Sequence, residues 1–89
     1  MCKGPVFCVL LRHIGADMIL ATGDVTGHVC LYGAISGELQ KRIHCGSAVR
    51  GLDMSPDGYY IATGTAKGDA SVWFAHSGEV TRWCTFELT

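Results

Sequence analysis

Asparagine is absent from the chain, so it offers no N-glycosylation acceptor. No run of lysine or arginine occurs, and the formal net charge is −1 at pH 7. The electrostatic footprint of a nucleic-acid binder, or of a protein held to an anionic membrane, is therefore missing, and neither partner is expected. No apolar stretch approaches the roughly 20 residues of a membrane-spanning helix. The apolar run "VFCVLL" lacks a following small-residue cleavage pattern, so it is not read as a secretory signal. No stretch carries a helical period over about ten residues. The five cysteines, Cys2, Cys8, Cys30, Cys45 and Cys84, form no C-x-x-C pair. An odd count without a secretory signal points to reduced thiols and to a cytoplasmic or nuclear location.

What is present is a folding chain, 48% hydrophobic and only 17% charged, well away from the composition of disordered segments. It says nearly the same thing twice. "MILATGDVTGHVCLY" at residues 18–32 returns as "YYIATGTAKGDASVW" at residues 59–73. Ala21-Thr22-Gly23 matches Ala62-Thr63-Gly64, Gly27 matches Gly68, and Tyr32 matches Trp73, all at an offset of 41 residues. Ser36-Gly37-Glu38 and Ser77-Gly78-Glu79 extend the match. Upstream, Val6, Val9 and Leu11 match Val49, Leu52 and Met54 at an offset of 43, so about two extra residues sit in the first unit near Ala16-Asp17.

Each unit divides into four short apolar runs. In the first these are Val6–Leu11, Met18–Thr22, His28–Tyr32 and Leu39–Ile43. In the second they are Val49–Met54, Tyr59–Thr63, Asp69–Phe74 and Val80–Phe86. The separators are turn chemistry: "SPDG", "GTAKG" and "AHSG". Short strands at such spacing predict an all-β meander.

The segment "AVRGLDMSPDGYYIATGTAKGDASVWFAHSGEV" resembles a WD40 repeat, and residues 18–43 resemble a second, weaker copy. The resemblance covers nearly the whole chain and implies two four-stranded antiparallel blades of a β-propeller, residues 6–43 and 49–86, in one partial WD40 region spanning residues 1–89. Propellers close with about 4–8 blades, so two do not make a ring. The chain is expected to be a piece of a longer protein or a truncated product; assembly of a short chain with others is the alternative. The copies also depart from the family pattern. Its Gly-His pair falls at His44-Cys45, its tight-turn aspartate at Thr26 and Lys67, and the aspartate of its terminal Trp-Asp pair at Gly33 and Phe74. Of the buried polar network that the resemblance implies, Thr63 and Trp73 remain. A half-kept network is a liability, so the blades are expected to rely on apolar packing.

Other chemistries find little support. "GDVTG" and "GTAKGD" lack the Lys-Ser/Thr and the helix of a phosphate loop and read as turns. His28 with Cys30, or His44 with Cys45, lacks the matched pairs of a structural zinc site. Cys8 and Cys30 read as small hydrophobes in apolar strands. His44 and Cys45 are adjacent, so in a strand their side chains diverge and do not form a nucleophile and base. No catalytic residue, metal or cofactor is expected. Trp73, Thr63, Asp57, Gly58, Gly23 and Gly64 are assigned structural roles. In the meander the turns around Thr26 and Lys67 share one end with the Cys45–Ala48 connection. Thr26, Ser47, Arg50 and Lys67 are the candidate contacts there, the partners being other proteins, further blades or the chain itself. The function expected is a non-catalytic interaction module, a scaffold piece of a multi-subunit assembly. The alternatives are a truncated product without independent function, or part of an enzyme whose active site lies elsewhere.

Overall fold

The computed structural model of the chain describes residues 5–75 and the backbone of residues 80–85. Eight strands follow one another: β1 (Val6–Ile14), β2 (Asp17–Asp24), β3 (His28–Gly33), β4 (Leu39–His44), β5 (Val49–Met54), β6 (Tyr60–Thr65), β7 (Asp69–Phe74) and β8 (Val80–Thr85). They form two four-stranded antiparallel meanders, β1-β2-β3-β4 and β5-β6-β7-β8. The expected eighth run is β8 as far as Thr85; its last residue, Phe86, and the expected turn at His76-Ser77-Gly78 lie outside the described residues.

The two extra residues of the first unit lengthen its first hairpin rather than swelling a loop. The β1–β2 ladder continues past Leu11↔Leu20 to Ile14↔Asp17, and Gly15 at φ 60° helps close the turn. The matching ladder of the second unit stops at Met54↔Ile61. There "SPDG" makes a wider turn. Asp57 accepts from the Ser55 hydroxyl at 2.6 Å and from Tyr59 N–H at 3.0 Å. These bonds, the Ser55 hydroxyl foremost, hold the Asp57 carboxyl below its ordinary range. Gly58, at φ 78°, lies against Ile14 of the first sheet.

Alternation along the strands gives each sheet two unlike faces. In the first sheet one face carries Ile19, Ala21, Gly23, Val29 and Leu31; in the second the face turned to it carries Val49, Met54, Ile61 and Thr63. Ala21, Val29, Val49 and Ile61 are sealed completely from solvent, each larger side chain contributing about 1.5–3 kcal/mol. β5 makes the contact between sheets, against β1 and β2. Away from it the sheets separate, leaving an open cleft of about 380 Å³ walled by Ile19, Leu31, Met54 and Ala75 among others. The Arg12 guanidinium on β1 donates to Asp53 of β5 at 2.6 Å, an exposed pair worth at most about 1 kcal/mol.

The tightest point of the interface is a glycine. A Cβ on Gly23 would lie 2.6 Å from Val49 Cγ1 and 2.8 Å from Cys8 Sγ, so only a bare backbone lets the sheets approach. Its repeat-mate Gly64 has nothing within 4 Å of the same direction. Gly23→Ala is therefore expected to destabilise the chain by about 1–3 kcal/mol through overpacking. Gly64→Ala is expected to leave the urea midpoint of the monomer within the error of the wild type. Equal midpoints for Gly23→Ala and wild type would contradict this packing.

Candidate partner-binding end

The start of β1, the β2–β3 turn, the β4–β5 connection and the β6–β7 turn gather at one end of the molecule, as the registers Val6↔Asp24, His28↔His44 and Val49↔Thr65 require. The β2–β3 turn is built around Asp24. This fully buried carboxylate accepts through Oδ1 from Thr26 N–H at 2.9 Å, Thr26 Oγ1 at 2.6 Å and His28 N–H at 3.0 Å. The Thr26 hydroxyl donates to Asp24, so His28 Nδ1, 2.8 Å away, is the donor to that oxygen. The His28 ring stacks on His44 across the strand pair, with centroids 4.6 Å apart. Gly27, at φ 91°, holds the turn against the β4–β5 connection, where a Cβ would meet Ser47 O at 2.8 Å. Thr26 and Ser47 thus sit on two touching segments.

A second group stands beside the sheet interface. The register of β1 slips between Val6 and Cys8, and that of β5 between Val49 and Gly51. Phe7 and Arg50 are the extra residues of these two bulges, and they are repeat-mates. Bulges at sheet rims re-aim side chains. Here they bring the Arg50 guanidinium to 5.7 Å from the centre of the Phe7 ring, within cation–π range. Lys67 is exposed in the β6–β7 turn. That turn lacks the carboxylate clamp of its mate, because Thr65 stands where Asp24 stands in the first copy. Of the four residues singled out in sequence, Thr26 and Ser47 come together. Arg50 is drawn to Phe7, and Lys67 stands on the neighbouring turn. Phe7, Asp24, His28 and His44 were missed. Phe7 was detectable as the mate of Arg50 at the 43-residue offset; the histidine pair depends on strand register.

Inside the second sheet the expected pair of the polar network is present, joined by a thiol from the β4–β5 connection. Trp73 Nε1–H donates to Thr63 Oγ1 at 2.9 Å. The Cys45 thiol donates to the same oxygen at 3.8 Å. Cys45 joins the expected Thr63–Trp73 pair, while the buried Thr65 hydroxyl has no hydrogen-bond partner among the described residues, so the network stays half-kept. The neighbour of Cys45, His44, is the last residue of β4 and stacks on His28. Burial foremost pushes the Cys45 thiol above its ordinary range; the Thr63 bond acts in the opposite sense. Cys8 is raised for the same primary reason. Cys30 corrects an expectation: it is disulfide-bonded, so it is not a free apolar thiol. Among the described residues no three His, Cys, Asp or Glu side chains are placed to hold a metal ion.

This geometry, two open four-stranded sheets joined through their first strands with loops gathered at an end, is that of propeller blades. The chain is similar to the crystal structure of the β-propeller domain of Cps50 (Swd1) from Myceliophteria thermophila, with a TM-score of 0.84 at 21% sequence identity. The likeness covers 97% of this chain and 26% of that one, so this chain spans about a quarter of the neighbour's length. At this identity the likeness defines the fold. No family model and no curated protein matches the sequence.

Thr63→Val should cost about 1–3 kcal/mol, because it strips the shared acceptor from both Trp73 and Cys45. Combined with Trp73→Phe, the loss should be clearly less than additive in denaturant titrations. Additive losses would mean the three groups do not act together. The raised Cys45 thiol remains protonated above the usual thiol range. Mass-resolved iodoacetamide labelling near pH ~8.5 should therefore modify Cys45 more slowly in the folded chain than in urea. Equal rates would refute the burial argument.

Proposed function

We propose that the chain is a protein–protein interaction module: a two-blade piece of a WD40-type propeller, acting as a scaffold in an assembly of several subunits and not as an enzyme. The observation that carries this reading is the propeller-blade architecture with its loops gathered at one end. There two cations, an aromatic ring, two imidazoles and two hydroxyl-bearing residues share a rim. Loops on a stiff sheet scaffold are where recognition residues collect, and Arg and aromatic side chains dominate the energetics of protein contacts. The Asp24 clamp supports the reading further, since a preordered turn loses less entropy on binding.

The proposed contacts are Thr26, Ser47, Arg50 and Lys67, with Phe7 beside Arg50. The chain's formal net charge of −1 does not favour a nucleic-acid partner.

The test is affinity purification from cells with the wild-type chain and with Arg50→Glu and Lys67→Glu variants, followed by cross-linking. Discrete proteins cross-linked at this end and lost at least about tenfold from both variants, with β-sheet circular dichroism retained, are the expected result. Cross-links confined to the opposite end, or partners indifferent to both variants, would overturn the assignment.

A further inference from the structure

Charge is divided between the two ends of the molecule. At the end where β1 begins and β4 passes into β5, Arg50 and Lys67 are both exposed. The two described carboxylates there are already engaged. Asp24 is buried under three donors, and half-buried Asp69 has a partner of its own. At the opposite end the signs reverse. Asp17, Glu38 and Asp57 are exposed there, and Arg12 is taken by Asp53.

Arg50 rests over the Phe7 ring, 5.7 Å from its centre. Among the described residues neither Arg50 nor Lys67 donates a side-chain hydrogen bond or pairs with a carboxylate. The ring takes one face of the guanidinium and leaves its edge, with the paired N–H groups, open. Backbone pairing brings Lys67 alongside. Val49 lies opposite Thr65, and Ala66 N–H donates to Ala48 O at 2.9 Å, so the β6–β7 turn flanks the strand that carries Arg50. Because Phe7 belongs to β1 and Arg50 to β5, the pair stands at the junction of the two sheets and takes nothing from either outer face.

We propose that the partner taken at this end is an acidic protein segment carrying two carboxylate side chains, one gripped in bidentate fashion by Arg50 and the other held by Lys67. This rests on the interaction-module reading above and adds the partner's chemistry to it. Two free cations on two separate elements suit two carboxylates spaced along a chain. A single phosphate calls for donors that converge on one point. A nucleic-acid backbone calls for a stripe of further cations, and the described residues at this end supply none. The Phe7 ring orders Arg50 before the partner arrives, which lowers the entropy lost when the pair forms.

Selection from a random peptide library on phage, with the full chain immobilised, tests this. Wild type is expected to enrich peptides with two Asp or Glu positions. Their binding should weaken as salt rises from about 0.1 M to 1 M and the Debye length falls from about 10 Å to 3 Å. Lys67→Glu should exchange one acidic position for Lys or Arg, and Arg50→Glu should exchange the other. Arg50→Lys should keep the acidic preference but bind the enriched peptide severalfold less tightly, because an ammonium lacks the planar fork. Peptides without acidic preference that are nonetheless lost from both reversed variants would overturn the proposal and leave the loop end a binding site. Peptides indifferent to both variants would overturn the proposal and count against that reading as well. Failure to enrich any peptide would overturn the proposal. So would a mixed-sequence single-stranded DNA that binds as tightly as the enriched peptide and is lost from the same variants. If Arg50→Glu loses its far-UV β signature, Arg50→Gln takes its place, with loss of one acidic position as the expected result.

Discussion

The seating of Val49 on the bare backbone of Gly23 is the contact on which the two-sheet arrangement depends. Interiors pack at crystal-like density, and a single methyl is felt there. With Cys8 on one side and Gly23 beneath, the valine brings β5 within reach of β1 and β2. From that approach follow the burial of Ala21, Val29 and Ile61 and the reach of Arg12 to Asp53. Gly58 meeting Ile14 fixes the opposite end of the same pair of strands. Between these two points the sheets are pinned, and beyond them they fan apart.

The internal repeat made the strands legible. An offset of 41 residues, with turn residues recurring at Gly27 and Gly68, places six of the eight strands and their order without reference to packing. The two residues by which the first unit is longer were also visible, but not where they would go. Ladder extension to Ile14↔Asp17 depends on Gly15 closing a tight turn, which competes on equal terms with a longer loop until the backbone is built.

The loop end was legible only in part. Arg50 and Lys67 stand out as charges at turns, and Thr26 and Ser47 as polar residues in connections. What gives the end its form is register. The stacking of His28 on His44 and the meeting of Arg50 with Phe7 require knowing which residues lie opposite and where the ladder slips. Cys45 filling a place beside Thr63, and Cys30 entering a disulfide, are choices among five chemically similar residues that spacing alone does not order. Asp24 does not stand out in the sequence, yet its side chain ties down the turn that follows it, through Thr26 and His28.

The meander has a consequence for how the chain reaches its fold. Every strand pairs only with its sequence neighbour, so both sheets are assembled from local hairpins, which form in about 1–10 μs. The joining of β5 to β1 instead closes a loop some 40 residues long, a step whose entropy is lost before any contact repays it. During synthesis β1 and β2 leave the ribosome before β5, at about 5–20 residues per second. Their packing face then waits for β5 for several seconds with its apolar side chains uncovered. The interface that joins the sheets is therefore the last contact of the first sheet that the chain order lets form.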